Sequence, residues 1–510
     1  MPEPQLSIAQ YFHERTKYHP ETLARASREL DWDNQPIPFK EYKIGTTIDL
    51  KLYFKNSFPG DPDRTVQERL SWFLFCSYGI TAQIQTMGSP MYLRAAPSAG
   101  GLYPAELYLI SKGTQELPAG LYNYQAKTHS LIRFWDSDVW PGLQKATFWH
   151  PALETTKLAI ATTAIFYRSA WRYLDRAYRR IFLDTGHLLG NIELAGSIND
   201  YRPHPIGGFN DEALNQLLYL DSSQESVVTL IPIADLLDIS QNLPPFRTAL
   251  SSPTKTDYPK IAEGELLSAC HQATKIDSDT SGSGGWSKPS EQELPKDKYN
   301  FPFCTKVSTK TSAIEWGENL EGLEKTMLKR RSTRGYSGAS ISLEQLKALL
   351  DFTYQAQHYT NQRLERSPDY FDLSLISTFV AVTSVSDLEE GCYYYAPSSQ
   401  ELRQIRFKNL RRELYFLCLG QDLGRDASAV VFHTADLSKA VAKYGDRAYR
   451  YLHLDSGHLG QRLNLAAIYT GVGVSGIGGF FDDKVNEAIG IPEDEAVLYI
   501  TTLGRPRSGY

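Results

Sequence analysis

Four cations and two hydroxyls crowd into the six residues Lys329-Arg-Arg-Ser-Thr-Arg334. The guanidinium forks of Arg330, Arg331 and Arg334, with the Ser332 hydroxyl, supply the donors that a phosphate dianion needs. The bland reading of such a run is a solvated face. Lys443-Tyr444 sets an amine beside a phenol. That pair serves acid–base chemistry when burial or nearby cations shift the pKa values, and is otherwise a surface lysine next to a packed tyrosine. In Ile477-Gly-Gly-Phe480 the missing Cβ atoms at Gly478 and Gly479 let backbone approach something flat, or simply make a tight turn. Pro97-Ser-Ala-Gly100 is a small-residue loop leading into an expected strand at 106–110. Gly471-Val-Gly-Val-Ser-Gly476 matches the dinucleotide pattern formally. It follows a helical rather than a strand pattern and has no acidic ribose partner, so it is rejected. His187 and His458 each sit in Asp-x-Gly-His, a spacing that suits a structural hydrogen bond, and with no third ligand no metal is expected.

The elements that must position these groups occur twice. Tyr173 to Phe209 reappears at Tyr444 to Phe480, displaced by 271 residues, with 17 identities in 37 ungapped positions. Gly120 and Tyr122 fall on Gly391 and Tyr393 at the same offset. This is an internal duplication. The apolar runs 158–167 and 373–385 predict buried strands, and each Asp-Arg-Ala-Tyr-Arg segment should open a long buried helix. A helix is also expected at 320–328, and another is weighed at 261–275. The Ser/Gly-rich stretch 277–285, followed by Lys288-Pro-Ser, is too polar to fold and reads as a flexible linker. The chain therefore divides into an extension (1–64), a first copy (65–237), a linker region (238–315) and a second copy (316–510).

Length and composition fit this division. The 510 residues suffice for about two large or three ordinary units. A net charge of −6 offers no basic field for nucleic acid or anionic lipid, and no stretch approaches the ~20 apolar residues of a membrane span. Five scattered cysteines without a CxxC pair read as reduced thiols, and the polar N-terminus lacks a signal core, so a cytoplasmic location is expected.

Taken together, the motifs resemble the flavin-dependent nitroreductase superfamily, and within it the SagB-type thiazoline/oxazoline dehydrogenases, including the cyanobactin oxidases. The resemblance rests on Arg330-Arg-Ser-x-Arg334, Pro97-Ser-Ala-Gly100, Lys443-Tyr444-x-Asp-Arg-Ala-Tyr-Arg450, Leu454-Asp-x-Gly-His458, Ile477-Gly-Gly-Phe480 and Leu503-Gly-Arg-Pro506. Two leading segments, Tyr11-Phe-His-Glu-Arg-Thr-Lys17 and Asn34-Gln-Pro-Ile-Pro-Phe-Lys40, are similar as well. It implies an α+β fold: a tandem nitroreductase-like unit, each with a central mixed sheet flanked by helices, forming a pseudo-dimer within one chain. It also implies FMN. Arg330, Arg331, Ser332 and Arg334 would hold its phosphate and ribityl chain, with Arg505 (or Arg507) completing the phosphate site. Gly478 and Gly479 would pass the isoalloxazine edge, and Pro97, Ser98, Ala99 and Gly100 would reach it from the other copy. Lys443 and Tyr444 would be the catalytic pair.

At the 271 offset the second copy carries Pro368-Asp-Tyr-Phe-Asp372 in place of the small-residue loop, and the first carries Arg172 in place of Lys443 and no Arg-x-Ser-x-Arg run. The expectation is one complete FMN site built from both copies and one degenerate site, because Asp369 and Asp372 oppose a flavin phosphate. The activity implied is aromatisation of a thiazoline or oxazoline in a precursor peptide, within a ribosomal-peptide (cyanobactin-like) pathway. The extension and linker region are candidates for contact with a leader peptide or a cyclodehydratase, and further homodimerisation is left open. The rival readings are a general NAD(P)H-dependent nitroreductase or quinone reductase and a non-catalytic flavin- or peptide-binding scaffold.

Overall fold

The computed structural model describes residues 5–25, 29–54, 61, 63–85, 90–242, 244–278, 286 and 296–507. Most of the Ser/Gly-rich linker, at 279–285 and 287–295, lies outside the described residues. Two seven-stranded sheets share one order. The first runs Thr46–Asp49, Ser130–Trp135, Gly120–Gln125, Ala105–Ser111, Leu158–Ile165, Glu225–Asp235, Tyr201–Pro203. The second runs Lys306–Ser308, Glu401–Arg406, Gly391–Ala396, Ser377–Val382, Ala429–Asp436, Glu495–Gly504, Gly473–Ile477. The tandem α+β duplication is thus present at the level of topology. Tyr122 and Tyr393 even donate their hydroxyls alike, to the carbonyls of Pro118 and Glu389.

Each sheet is antiparallel throughout, not mixed as expected. The crossover helix does set Leu158–Ile165 and Tyr201–Pro203 in the same direction. The later strand Glu225–Asp235 then inserts between them and runs against both. The predicted strand over 373–385 also shortens, because 373–375 is a 3-10 turn and the ladder begins at Ser377.

The copies meet along two 22-residue helices, Ala177–Ile198 and Ala448–Tyr469, which are buried on nearly every side. Their crossing explains the repeated Asp-x-Gly-His. A Cβ on Gly186 would fall 2.2 Å from the Leu454 carbonyl oxygen, and one on Gly457 would fall 2.3 Å from that of Leu183. Only glycine lets the backbones touch there. Gly457→Ala should therefore push the helices apart and cost about 1–3 kcal/mol in urea denaturation; an unchanged midpoint would mean that the crossing is not tightly packed.

The duplicated unit also includes a leading helix that the sequence comparison missed. Ile8–Arg15 carries a Ser7/Gln10 capping box and packs between the copies. The Asp446 carboxylate accepts the Ala9 N–H, while the carbonyls of His13 and Thr16 accept from Arg179 and Arg176. In the linker region, Leu266–Ala273 mirrors this arrangement. The Asp175 carboxylate accepts the Leu267 N–H, and the carbonyls of His271 and Thr274 accept from Arg450 and Arg447. Each leading helix thus bridges both copies, which makes these parts of the extension and linker region packing elements. Among the described residues no helix is long and apolar enough to cross a membrane.

Candidate active site

Buried charge fixes how the copies dock. Asp482 lies between Arg176 (2.8 Å) and Arg179 (2.7 Å) of the first copy, and Asp211 lies between Arg447 (2.6 Å) and Arg450 (2.7 Å) of the second. Burial alone would raise both carboxyls, but the paired guanidinium groups outweigh it and hold them below the usual carboxylate range. This recognition is reciprocal, and it places the small-residue loop of the first copy over the glycine-rich edge of the second.

The result is a cleft of about 150 Å³ walled by both copies. From the first come Pro97, Ser98, Ala99 and Gly100, with Arg180, Leu183, Asp184 and His187 on the long helix. From the second come Ser332, Arg334, Asn464, Ser475, Gly476, Gly478 and Tyr499. Asp184 holds the loop, accepting from the Ser98 hydroxyl (2.6 Å) and the Ala99 N–H (3.1 Å). Burial pushes its carboxyl up to about 7, against those two hydrogen bonds, which favour the charged form. Arg330 braces the same loop from the second copy, donating to the Ala95 carbonyl at 2.6 Å. His187 is spoken for: its ring nitrogens meet Gln461 and the Tyr499 hydroxyl, each at 2.8 Å, and burial lowers it to about 4.

Several donors in this region have no partner. The N–H groups of Gly478 and Gly479 form no hydrogen bond with the described residues. Nη1 of Arg180 and Nη1 of Arg330 are likewise buried without an acceptor. A Cβ on Gly478 would stand 3.0 Å from the Arg180 side chain, so glycine keeps this wall open. Free backbone N–H groups, Arg334 and the Ser332 hydroxyl form a donor set suited to a flat, anionic cofactor.

Not every sequence-predicted residue joins this cleft. Arg331 turns away and donates to the carbonyl (2.8 Å) and hydroxyl (3.1 Å) of Thr81. Arg505 is exposed beside Ser337, to whose N–H its carbonyl is bonded, and Arg507 pairs with Asp426. Lys443 and Tyr444 also lie away from this cleft. Both line a second cleft, where the Asp372 carboxylate accepts from the Lys443 ammonium and from the Tyr444 hydroxyl at 3.0 Å. The reason is topological. The helix Leu437–Tyr444 leads into its own copy's long helix and so faces its own copy's loop at 368–372, not the loop at 97–100.

The first copy's pair, Arg172 and Tyr173, instead packs against the 97–100 loop at the margin of the cleft, outside its lining. A Cβ on Gly100 would lie 2.8 Å from the Tyr173 hydroxyl and 3.4 Å from Arg172. Arg180 stacks on the Tyr173 ring with its guanidinium carbon 3.6 Å from the centroid, and Arg172 lies at 5.8 Å. Burial raises the Tyr173 phenol, while Arg180 and Arg172 pull it down. Tyr444 differs in facing a carboxylate: burial and Asp372 both raise it, with the Lys443 ammonium 5.3 Å from its ring. Sequence signals for Arg172 and Tyr173 existed in the 271 offset, but the offset alone does not say which member of a repeated pair faces which loop.

Comparison with known proteins follows the same division. The nitroreductase family pattern matches residues 65–234 and 327–505, one match per copy. A protein of Methanocaldococcus jannaschii classed with the nitroreductases is 30% identical over 177 residues, which is 34% of this chain and 88% of that protein. The crystal structure of an Anabaena variabilis protein, also classed with the nitroreductases, is 64% identical. It covers 98% of this chain and 100% of its own, with a TM-score of 0.93. With both copies matched by the family pattern, the chain belongs to the nitroreductase family.

Proposed function

We propose that the protein is an FMN-dependent dehydrogenase that oxidises peptide thiazolines or oxazolines to thiazoles or oxazoles, as in cyanobactin-like ribosomal-peptide pathways. Ser332 and Arg334 would hold the FMN phosphate. Gly478 and Gly479 would face the ring edge with their free N–H groups, and the 97–100 loop would cover it. Arg330 acts by bracing that loop. When bound, FMN supplies the hydride acceptor.

The observation that carries the reading is the half-buried phenol of Tyr173, set against Gly100 of the cleft's loop with the Arg180 and Arg172 guanidinium carbons 3.6 and 5.8 Å from its ring. Oxidation of an azoline removes a ring hydride and also a carbon-bound proton, so it needs a base beside the acceptor. Reduction of a nitro group or quinone by NAD(P)H does not. Tyr173 takes the proton as phenolate, a form that Arg180 and Arg172 stabilise. The 97–100 loop orients the peptide against this wall.

The test is anaerobic mixing of the purified, flavin-loaded chain with a thiazoline-containing peptide or, separately, with NADPH. Bleaching of the flavin by the peptide alone is expected. Bleaching by NADPH alone would return the protein to the general reductases. The same preparation should carry one FMN per chain, read from absorbance after denaturation. Two per chain would mean that the cleft at 368–372 also holds flavin.

A further inference from the structure

The pseudo-two-fold counterpart of the candidate active site is a larger cleft of about 770 Å³, within the ~300–1,000 Å³ typical of ligand sites. It is closed to a flat ring system. Cβ atoms built on Gly207 and Gly208 would fall 2.6 Å from the Phe371 ring and 2.5 Å from the Leu250 side chain. Both glycine N–H groups are also taken, by the Thr248 carbonyl at 2.7 and 3.2 Å. What remains is a space lined by side chains of the 245–249 and 366–374 segments, with Lys443 and Tyr444 at one end.

Its charges do not balance. Asp369 is matched by Arg202 (3.5 Å) and His204 (3.3 Å), and Asp372 by Lys443 and Tyr444. The exposed guanidinium groups of Arg247 and Arg366 have no hydrogen-bond or ion-pair partner among the described residues. Two forks are therefore left to bind anions, with the half-buried ring of Phe246 in the same lining. The two wall carboxylates weigh against a phosphate dianion and favour singly charged carboxylates, and no glycine-rich loop is present here to cradle a phosphate.

We propose that this cleft binds an acidic peptide segment, with Arg247 and Arg366 each taking a carboxylate and an apolar side chain lying on Phe246. On the function proposed above, which this assignment deepens, the occupant is a part of the substrate peptide remote from the ring being oxidised. The duplication would thus have turned one redundant cofactor site into a substrate-anchoring site.

The experiment is fluorescence anisotropy of a dansyl-labelled peptide of alternating Glu and Leu, titrated with the full chain as purified. Binding is expected, and replacing Glu by Gln in the peptide should weaken it by at least about tenfold, the worth of one charge-assisted hydrogen bond. The Arg247→Glu/Arg366→Glu double variant should lose binding to the same or a greater degree, with folding checked by its thermal melting curve. Unchanged binding by that variant overturns the proposal. So does displacement of the peptide by NADPH, which would mark a nucleotide site. The assay involves no turnover, so failure of azoline oxidation and failure of this proposal are separately visible.

Discussion

Tyr173→Phe is expected to yield a folded, fully flavin-loaded protein in which peptide-driven flavin reduction slows by about 10²- to 10⁴-fold, the usual worth of a positioned base. The ring still stacks under Arg180, so packing is kept and only the ionisable oxygen is lost. Tyr444→Phe should leave the rate at saturating peptide within about twofold, since general base catalysis acts only within hydrogen-bond reach of the reacting proton. Stopped-flow bleaching of the two variants decides the matter. Loss at Tyr444 with retention at Tyr173 would move the chemistry to the other cleft. The pH profile adds an independent sign. Burial raises the Tyr173 phenol, so the active phenolate is a minority at neutral pH and the rate should climb by about tenfold per pH unit until the phenol ionises. Arg180→Gln removes the nearer countercharge and should shift that climb to higher pH.

The second large effect concerns assembly. Asp482→Ala leaves Arg176 and Arg179 buried without their carboxylate and should cost about 3–5 kcal/mol. That is a large share of the roughly 5–15 kcal/mol that holds a domain folded, so expression as aggregate or a sharply lowered urea midpoint is expected. Asp211→Ala should behave alike, because Arg447 and Arg450 stand in the same relation to it. A loss under about 1 kcal/mol at either site would mean that water reaches the freed guanidinium groups. The pH dependence follows from the depressed pKa values. Both carboxyls ionise more readily folded than unfolded, so their contribution is fully present above the ordinary aspartate pKa and is lost as pH falls through the folded values. Acid should therefore unfold the wild type more steeply than a variant lacking either aspartate.

Much of this was legible in the sequence. The 271-residue offset identified the duplication, the missing Arg-x-Ser-x-Arg run in the first copy showed that the two halves differ, and Ser332, Arg334, Gly478 and the 97–100 loop do meet in one cleft. These signals are local: a run of donors, paired glycines and a small-residue loop each carry their chemistry in adjacent residues. The direction of each strand was not legible, because a crossover helix fixes the sense of the strands it joins but not which later strand inserts between them.

The partner of each repeated feature was decided only by the tertiary structure. Asp482 could as well have met Arg447 in its own copy as Arg176 in the other, and Lys443-Tyr444 could as well have faced the 97–100 loop as Asp372. A chain that contains the same motif twice specifies what binds to what, but not which copy supplies it. That choice follows from the glycine crossing of the two long helices, which sets the pseudo-two-fold axis, and from the short connection that ties each Arg/Lys-Tyr pair to its own long helix. Hence the sequence by itself determined the α+β duplication and its runs of donors. Only the packed structure set Arg172 and Tyr173 against the 97–100 loop and Lys443 and Tyr444 against the 368–372 loop.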